Sequence, residues 1–370
     1  MNSLSKSETA GHEHRAHAKL SASGSKQWLT CTPSIKLSEP FPDTSSPQAE
    51  EGTKAHELAE NRLLWMLDKT TKLYDADPEM LVYVTVYVNY VMERYHAALA
   101  DTLDASLLLE QRLDFSKYVP DGFGTGDVVI VSDGWLEIID LKYGMNPVQA
   151  IGNSQLQLYA LGAIERYYGI FDFDKVRVTI VQPRLDSISS WEIDVPDLMQ
   201  WGELFVKPRA EMAIRGEGEY VSGSHCRYCK ARFVCRKRAE DNLEMAKYEF
   251  KKPDLLTDGE LSEILDRADE LSKWVKDVME YSLSFVKLGN DIPGWELAAG
   301  RAVRKITAPD QAGELLRDLG FGMDQIYKTE LRGIGDLEKL LGKKEFSAVL
   351  GAYIDKVEGE PKLKRRSGEK

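Results

Sequence analysis

The sequence has 370 residues, of which 43% are apolar and 29% charged, so it is long enough for two domains with a buried core. Its 60 acidic and 48 basic side chains give a net charge of −12, which excludes a uniformly basic nucleic-acid coat but not a local DNA-binding surface. No segment approaches the roughly 18 apolar residues of a membrane span, and the N-terminus lacks the apolar core of a signal peptide. We therefore expect a cytoplasmic protein.

The hydrophobic pattern indicates mixed helices and strands. Residues 1–16 are polar and aperiodic, which predicts a disordered head, and 356–370 form a polar, basic tail. Between them we predict a mixed domain at 17–245 and a mainly helical part at 246–355. The predicted elements are helices from about Thr53, over 78–100 and, with Ser154 as N-cap, over 154–168; strands at 107–110, 127–132, 135–142 and 176–181; helix and then loop over 195–220; and a long helix over 258–288.

A predicted β-hairpin brings two aspartates together. Asp133-Gly134 lies between two β-branched runs, which is a strong signal for a two-residue hairpin loop. This loop places Asp127 directly opposite Asp140, with Cβ atoms about 4.5–5.5 Å apart on one face of the sheet.

The charges around this hairpin favour a metal site. Lys142 points to the same face as Asp140, whereas Glu137 points to the other face and is excluded from the site. Two opposed carboxylates repel each other, and a hard divalent cation between them would explain their presence. A lysine beside the waters of that ion can position a nucleophile. The alternative is an exposed edge hairpin with solvated charges.

Other polar side chains accompany the hairpin. His56 falls in the first turn of a predicted helix, and Glu110 lies on the preceding strand, where it could add a carboxylate to the pocket. Gln155 and Tyr159 are four residues apart, share one face of a helix and can hydrogen-bond phosphates and bases. Each of these residues alone also fits a purely structural role.

The four cysteines are unevenly spaced. Cys31 stands alone, and 195 residues later Cys226, Cys229 and Cys235 form a C-x₂-C-x₅-C pattern. A reducing compartment makes disulfides unexpected, so the spacing of the cysteines is more informative than their number.

The order of these motifs resembles the RecB-like branch of the PD-(D/E)XK nucleases. That branch carries a helix histidine, an aspartate, a D-x-K element and a Q-x-x-x-Y helix, which correspond here to His56, Asp127, Asp140-x-Lys142 and Gln155-x-x-x-Tyr159. The cysteine pattern is similar to the iron–sulfur staple of AddB-type and CRISPR-adaptation nucleases, and segments 17–21 and 51–60 look like phage and prophage proteins of this branch. The resemblance covers roughly residues 17–240. It departs at Thr32, where the family often has proline.

The resemblance implies an α/β fold, with a PD-(D/E)XK core of mixed central sheet flanked by helices and a mainly helical C-terminal part. It implies that Asp127 and Asp140 hold Mg²⁺ or Mn²⁺, with the Leu141 carbonyl and His56 as further ligands. Glu110 would contact the ion directly or through water.

The resemblance also implies roles for the remaining residues. Lys142 would orient the attacking water, and Gln155 and Tyr159 would position the strand, giving products with a 5′-phosphate. A [4Fe–4S] cluster on Cys31 and the three later cysteines would tie the two ends of the domain together, and four thiolates are what such a cluster requires. The alternatives are a structural zinc site, in which His225 could replace a cysteine, and a set of buried free thiols.

The cysteine segment carries a local positive charge. Six basic residues against one acidic residue make residues 225–240 the best candidate DNA track in an acidic chain. The predicted DNA contacts are Arg227, Lys230, Arg232, Arg236, Lys237 and Arg238.

We therefore expect a metal-dependent DNA nuclease, an exonuclease of phage recombination or DNA processing, whose partners are DNA and, as a candidate, a phage recombination or single-strand-binding protein. Two alternatives remain open: a non-catalytic DNA-binding or scaffold protein on the same fold, and an endonuclease with the C-terminal region as recognition element.

Overall fold

A five-stranded mixed β-sheet forms the centre of the fold. The computed structural model describes residues 18–42, 47–244 and 256–295, and the single positions 297, 317, 323 and 342. The strands are β1 (Ser106–Asp114), β2 (Phe123–Ser132), β3 (Gly134–Leu141), β4 (Phe173–Gln182) and β5 (Ser187–Asp194). They lie side by side in chain order, and only the β3–β4 pair is parallel. A parallel pair needs a crossover connection, which a helix supplies here.

Nine α-helices are present in the described part of the chain. They are α1 (Ser25–Thr30), α2 (Ser34–Ser38), α3 (Pro47–Met66), α4 (Pro78–Asp101), α5 (Ser154–Tyr167), α6 (Val195–Trp201), α7 (Lys207–Arg215), α8 (Arg236–Leu243) and α9 (Asp258–Lys287). Helix α5 is the β3–β4 crossover, and a π-helical turn at Gly202–Val206 joins α6 to α7. None of the described helices combines the length and apolar character needed to cross a lipid bilayer.

Two local predictions were wrong. Helix α5 is capped by Asn153, whose Oδ1 accepts the backbone N–H groups of Gln155 and Leu156 at 3.1 and 3.2 Å. The expected cap, Ser154, instead places its hydroxyl 2.6 Å from that of Ser25. Strand β5 has no counterpart among the predicted strands, because it is an edge strand with half of its residues exposed and a weak apolar alternation.

Alternation along the strands gives the sheet two buried faces. Val128 and Ile130 of β2 pack with α3 and α4, whereas Val129 and Val131 pack with α5 and the elements around it. Side chains of a strand alternate between faces, so one strand serves both layers. The fold is therefore a mixed sheet flanked by helices on both sides.

The N-terminal helices pack against the end of the mixed region. Thr32 Oγ1 donates to the Glu217 carbonyl at 2.5 Å, and Arg209 Nη1 donates to the Leu29 carbonyl at 2.7 Å. These contacts join segments about 180 residues apart in the chain, so α1 and α2 complete the domain from its far end.

Helix α9 belongs with the mixed region. The Arg238 side chain is 1% exposed and donates to Glu270 Oε1 and Asp277 Oδ2 of α9, both at 2.6 Å. The rings of Phe233 and Tyr281 stack with centroids 4.4 Å apart.

The chain accordingly divides into two units, Met1–Leu297 and Ala298–Lys370. This boundary lies about 50 residues after the predicted one, and the long predicted helix is part of the first unit. The predicted head, the predicted tail and most of 298–355 lie outside the described residues.

Candidate functional site

The predicted hairpin register is confirmed. The β2–β3 ladder runs in the expected pairing as far as Val128 and Ile139. Asp127 and Asp140 are the next residues beyond this last pair, at the same end of β2 and β3. The Leu141 backbone N–H donates to Asp127 Oδ2 at 2.8 Å. The two aspartates therefore lie side by side at the same end of two inner strands of the sheet.

Glu137 lies on the other face, as expected. Its carboxylate accepts hydrogen bonds at 3.1 Å from Arg94 of α4, and Arg177 approaches it at 3.6 Å. This buried ion-pair network connects α4 to the sheet and has no part in the candidate site.

Helix α3 and strand β1 complete a pocket around Asp127. His56 Nδ1 lies 3.2 Å from Asp127 Oδ2, and each of His56, Glu110 and Asp127 offers one atom within 4.8 Å of the others. These three residues line an open cavity of about 320 Å³ together with Thr53 and Thr125, among others. Among the described residues, only this set of histidine, cysteine and acidic groups has a spacing suited to a metal ion.

Glu110 is held in an unusual backbone conformation. Its φ is +47°, in the left-handed region, although the flanking residues Leu109 and Gln111 keep their regular pairing with β2. A non-glycine residue in this region costs about 1–3 kcal/mol, and such strain clusters at functional sites. The Glu110 carboxylate lines the cavity beside His56 and Asp127.

Lys142 is held by a network that runs onto α5. Its Nζ lies 2.8 Å from Asp140 Oδ2 and donates to Gln155 Oε1 at 3.2 Å. The Gln155 amide nitrogen in turn donates to Asp140 Oδ1 and to the Tyr159 hydroxyl, each at 3.2 Å. The ring of Tyr159 packs over Gly124, whose missing side chain leaves room for it. Gln155 thus links Asp140, Lys142 and Tyr159 in one rigid arrangement.

The charges of the site shift one another's pKa values. Burial opposes the charge of His56, but Asp127 outweighs burial and raises the His56 pKa to about 9. Burial also opposes the charge of Asp127, but His56 and Lys142 outweigh burial and hold the Asp127 pKa below its ordinary value. Burial, and then the nearby Asp127 charge, raise the pKa of Asp140 despite Lys142. The pKa of Lys142 is raised because both aspartates outweigh its burial.

Two buried oxygens at the site differ in their partners. Asp140 Oδ2 lies 2.8 Å from the Lys142 ammonium, which balances its charge. The Tyr87 hydroxyl is buried on α4 and lacks a hydrogen-bond partner in the described part of the chain. Nearby carboxylates add to burial in raising the Tyr87 pKa. The close approach of donor atoms from His56, Glu110 and Asp127, all within 4.8 Å of one another, is the observation a bound cation would explain.

The four cysteines come together in space. They line one small pocket, three of them are buried, and none forms a disulfide. Burial raises the pKa of Cys226 to about 11. A tetrahedral zinc site at 2.3 Å would require sulfurs about 3.8 Å apart, yet no three of these described thiols have their sulfur atoms all within 4.8 Å. His225 Nε2 lies 2.9 Å from the Val221 carbonyl, a contact that occupies this ring nitrogen.

The basic segment differs from the prediction. Arg238 is buried and bound to two α9 carboxylates, so it cannot reach a DNA strand, and its assignment as a DNA contact is wrong. Arg232 pairs with Asp277, and Lys237 with Asp241. The sequence pattern could not reveal this, because α9 begins 20 residues after Arg238. Arg227 and Arg236 remain exposed, and Lys230 is partly exposed.

The fold and site define a mixed α/β protein with a carboxylate–lysine–histidine pocket. Comparison with known families shows that the chain belongs to the family described as "Protein of unknown function (DUF2800)", which matches residues 17–370. Among solved structures, the chain is similar to the one titled "Crystal structure of SSO0001", with 16% identity over 49% of this chain and 95% of that chain. The TM-score is 0.22, too low to carry a structural argument.

Proposed function

We propose that this protein is a metal-dependent DNA nuclease with a PD-(D/E)XK core of the RecB-like type, acting as an exonuclease in phage recombination or DNA processing. The observation that carries the proposal is the convergence of Asp127, Asp140 and Lys142 at one end of the sheet with His56 from α3 and Gln155 from α5. These residues come from four elements and match, in order, the motifs of the family that the sequence resembles.

The residues present fit a divalent cation. Asp127 shares its pocket with Glu110 and His56, whose donor atoms lie within 4.8 Å of one another, and Asp140 carries a second carboxylate paired with Lys142. Carboxylate oxygens suit Mg²⁺ and Mn²⁺, and an imidazole nitrogen favours Mn²⁺ over Mg²⁺. The predicted role of the Leu141 carbonyl stays a prediction. When bound, such an ion would polarise a phosphodiester oxygen and lower the pKa of a water.

The side chains of this chain would do the positioning. Because its pKa is raised, Lys142 stays protonated and donates to the attacking water or to a phosphate oxygen instead of accepting a proton. The attacking water forms a new P–O bond as the P–O3′ bond breaks, leaving a 5′-phosphate and a 3′-hydroxyl. Gln155 keeps the ammonium in place, and Tyr159 anchors Gln155. Positioning and charge stabilisation supply most of the catalysis in phosphoryl transfer.

The test is digestion of end-labelled linear and circular DNA with Mg²⁺, Mn²⁺ or EDTA. We expect degradation of linear DNA that EDTA abolishes, and a loss of at least about 100-fold in Asp140→Ala and Lys142→Ala. Lys175→Ala, an exposed lysine on β4, is the matched control and should keep full activity. Retained activity in both site variants would refute the site. Cleavage of circular DNA would indicate an endonuclease, and metal-independent binding without cleavage a scaffold.

We further propose that the four cysteines hold a [4Fe–4S] cluster. Their convergence from distant segments onto one small pocket supports it. The free volume between them is about 10 Å³, so cluster binding requires the thiols to rotate outward. Anaerobically purified protein should be brown and contain about four irons. Cys31→Ala should lower the melting temperature while changing the turnover rate little. A colourless protein with stoichiometric zinc would replace this proposal by a zinc site.

A further inference from the structure

The short loop between Cys226 and Cys229 carries two exposed residues. Cys226 and Cys229 are buried, whereas Arg227 and Tyr228 between them face solvent, and Tyr228 is 69% exposed. A short 3₁₀ helix at Ser224–Tyr228 fixes this arrangement. The Tyr228 ring therefore faces solvent beside two buried cysteines, and the proposed function gives this ring no role.

This loop contacts the segment that connects two residues of the candidate site. Arg227 Nη1 donates to Asn146 Oδ1 at 3.0 Å, and Asn146 lies between Lys142 and Gln155 in the chain. Buried Gln182 fixes the same segment, because its amide donates to the Asn146 carbonyl at 2.9 Å. The cysteine loop therefore stands at the rim of the carboxylate site.

The chemistry of this rim suits an unpaired strand. An exposed aromatic ring stacks on any base that is not enclosed in a duplex, and such stacking tolerates sequence. A guanidinium beside the ring can contact a phosphate. Much of the expected basic track is consumed by ion pairs with Asp277, Glu270 and Asp241, so charge alone offers little grip on a duplex.

We propose that Tyr228 and Arg227 form a strand-binding rim that holds single-stranded DNA at the carboxylate site, with a base stacked on Tyr228. This inference rests on the proposed nuclease function and names its substrate class. It also assigns the cysteine segment a direct role in binding the strand, beyond its role in holding the domain ends together.

The test measures binding of a fluorescein-labelled 12-nucleotide oligothymidylate by fluorescence anisotropy. The protein is full length and anaerobically purified, and Ca²⁺ replaces Mg²⁺ so that binding is measured without cleavage. Tyr228→Ala should weaken binding about 5- to 150-fold, the loss of one base stack. Tyr228→Phe should keep the affinity, since it keeps the ring. Tyr168→Ala is the matched control, because Tyr168 is 84% exposed at the opposite end of α5 and should bind like the wild type.

Salt dependence separates the two rim residues. Arg227→Gln should reduce the slope of log affinity against log salt by about 0.7, the loss of one phosphate contact on a single strand, whereas Tyr228→Ala should leave the slope unchanged. Wild-type affinity in Tyr228→Ala would overturn the rim and leave the nuclease proposal intact. Equal or tighter binding of a duplex would overturn the substrate class. A wild-type protein that neither binds nor cuts DNA would overturn the nuclease proposal and the rim with it.

Discussion

Cation binding to the candidate site should release a proton from His56. In the metal-free protein Asp127 holds the His56 pKa at about 9, so only about 3% of this imidazole is neutral at pH 7.5. A metal ligand must be the neutral imidazole, so binding has to displace this proton. The affinity for Mn²⁺ should therefore rise about tenfold per pH unit between pH 7 and 8 and level off above pH 9.

Calorimetric titration with Mn²⁺ at pH 7.5 measures this release directly. Runs in buffers of different ionisation enthalpy give the number of protons displaced, which should be about one more in the wild type than in His56→Gln. His96→Gln, an exposed histidine of α4, is the matched control and should release as many protons as the wild type. Equal release in wild type and His56→Gln, or an affinity independent of pH, would refute the reasoning, because His56 would then not be a ligand.

Three further predictions concern stability and packing. The free energy of unfolding of the metal-free protein should fall by up to about 3 kcal/mol as pH rises from 6.5 to 9, because the raised His56 pKa stabilises the fold only while His56 is protonated; urea titrations at several pH values measure this. Gly124→Ala should lower turnover and cost about 1–3 kcal/mol of stability, since the new Cβ would lie 2.6 Å from the ring of buried Tyr159. Arg238→Ala should cost about 3–5 kcal/mol in the same urea titrations, because it removes the arginine from Glu270 and leaves Asp277 with Arg232 alone.

Matched variants check these predictions. Gly144→Ala meets no atom within 4 Å and should keep both turnover and stability. Arg236→Ala removes an exposed arginine two residues from the buried one and should change stability by less than about 0.5 kcal/mol. A flat pH profile of stability, or equal effects of the two glycine variants, would contradict the packing and charge arguments above.

Local signals in the sequence account for the hairpin and its acids. Asp133-Gly134 between two β-branched runs sets the register, and the register places Asp127 beside Asp140. The helix that carries Gln155 and Tyr159 follows from its apolar periodicity. These features depend on neighbours within about 30 residues, which a linear pattern records.

Features that depend on distant partners were not predictable in the same way. The burial of Arg238 requires carboxylates from a helix that begins 20 residues later, so a run of basic residues looked like an open surface. The left-handed backbone of Glu110 has no sequence signal, because glycine, asparagine or aspartate is the usual marker of that conformation. Tyr228 had a sequence signal that was not used, namely its place between the two cysteines of the C-x₂-C pattern.

The contacts of the first helices with the end of the mixed region affect how the protein is made. Leu29 and Thr32 meet partners about 180 residues downstream, so these two contacts cannot form while the ribosome is still adding that stretch. At about 5–20 residues per second, the wait is about 10–40 s. During synthesis the segment around Cys31 therefore stays exposed to chaperones, oxidants and proteases, and closure of the domain coincides with the emergence of the last three cysteines.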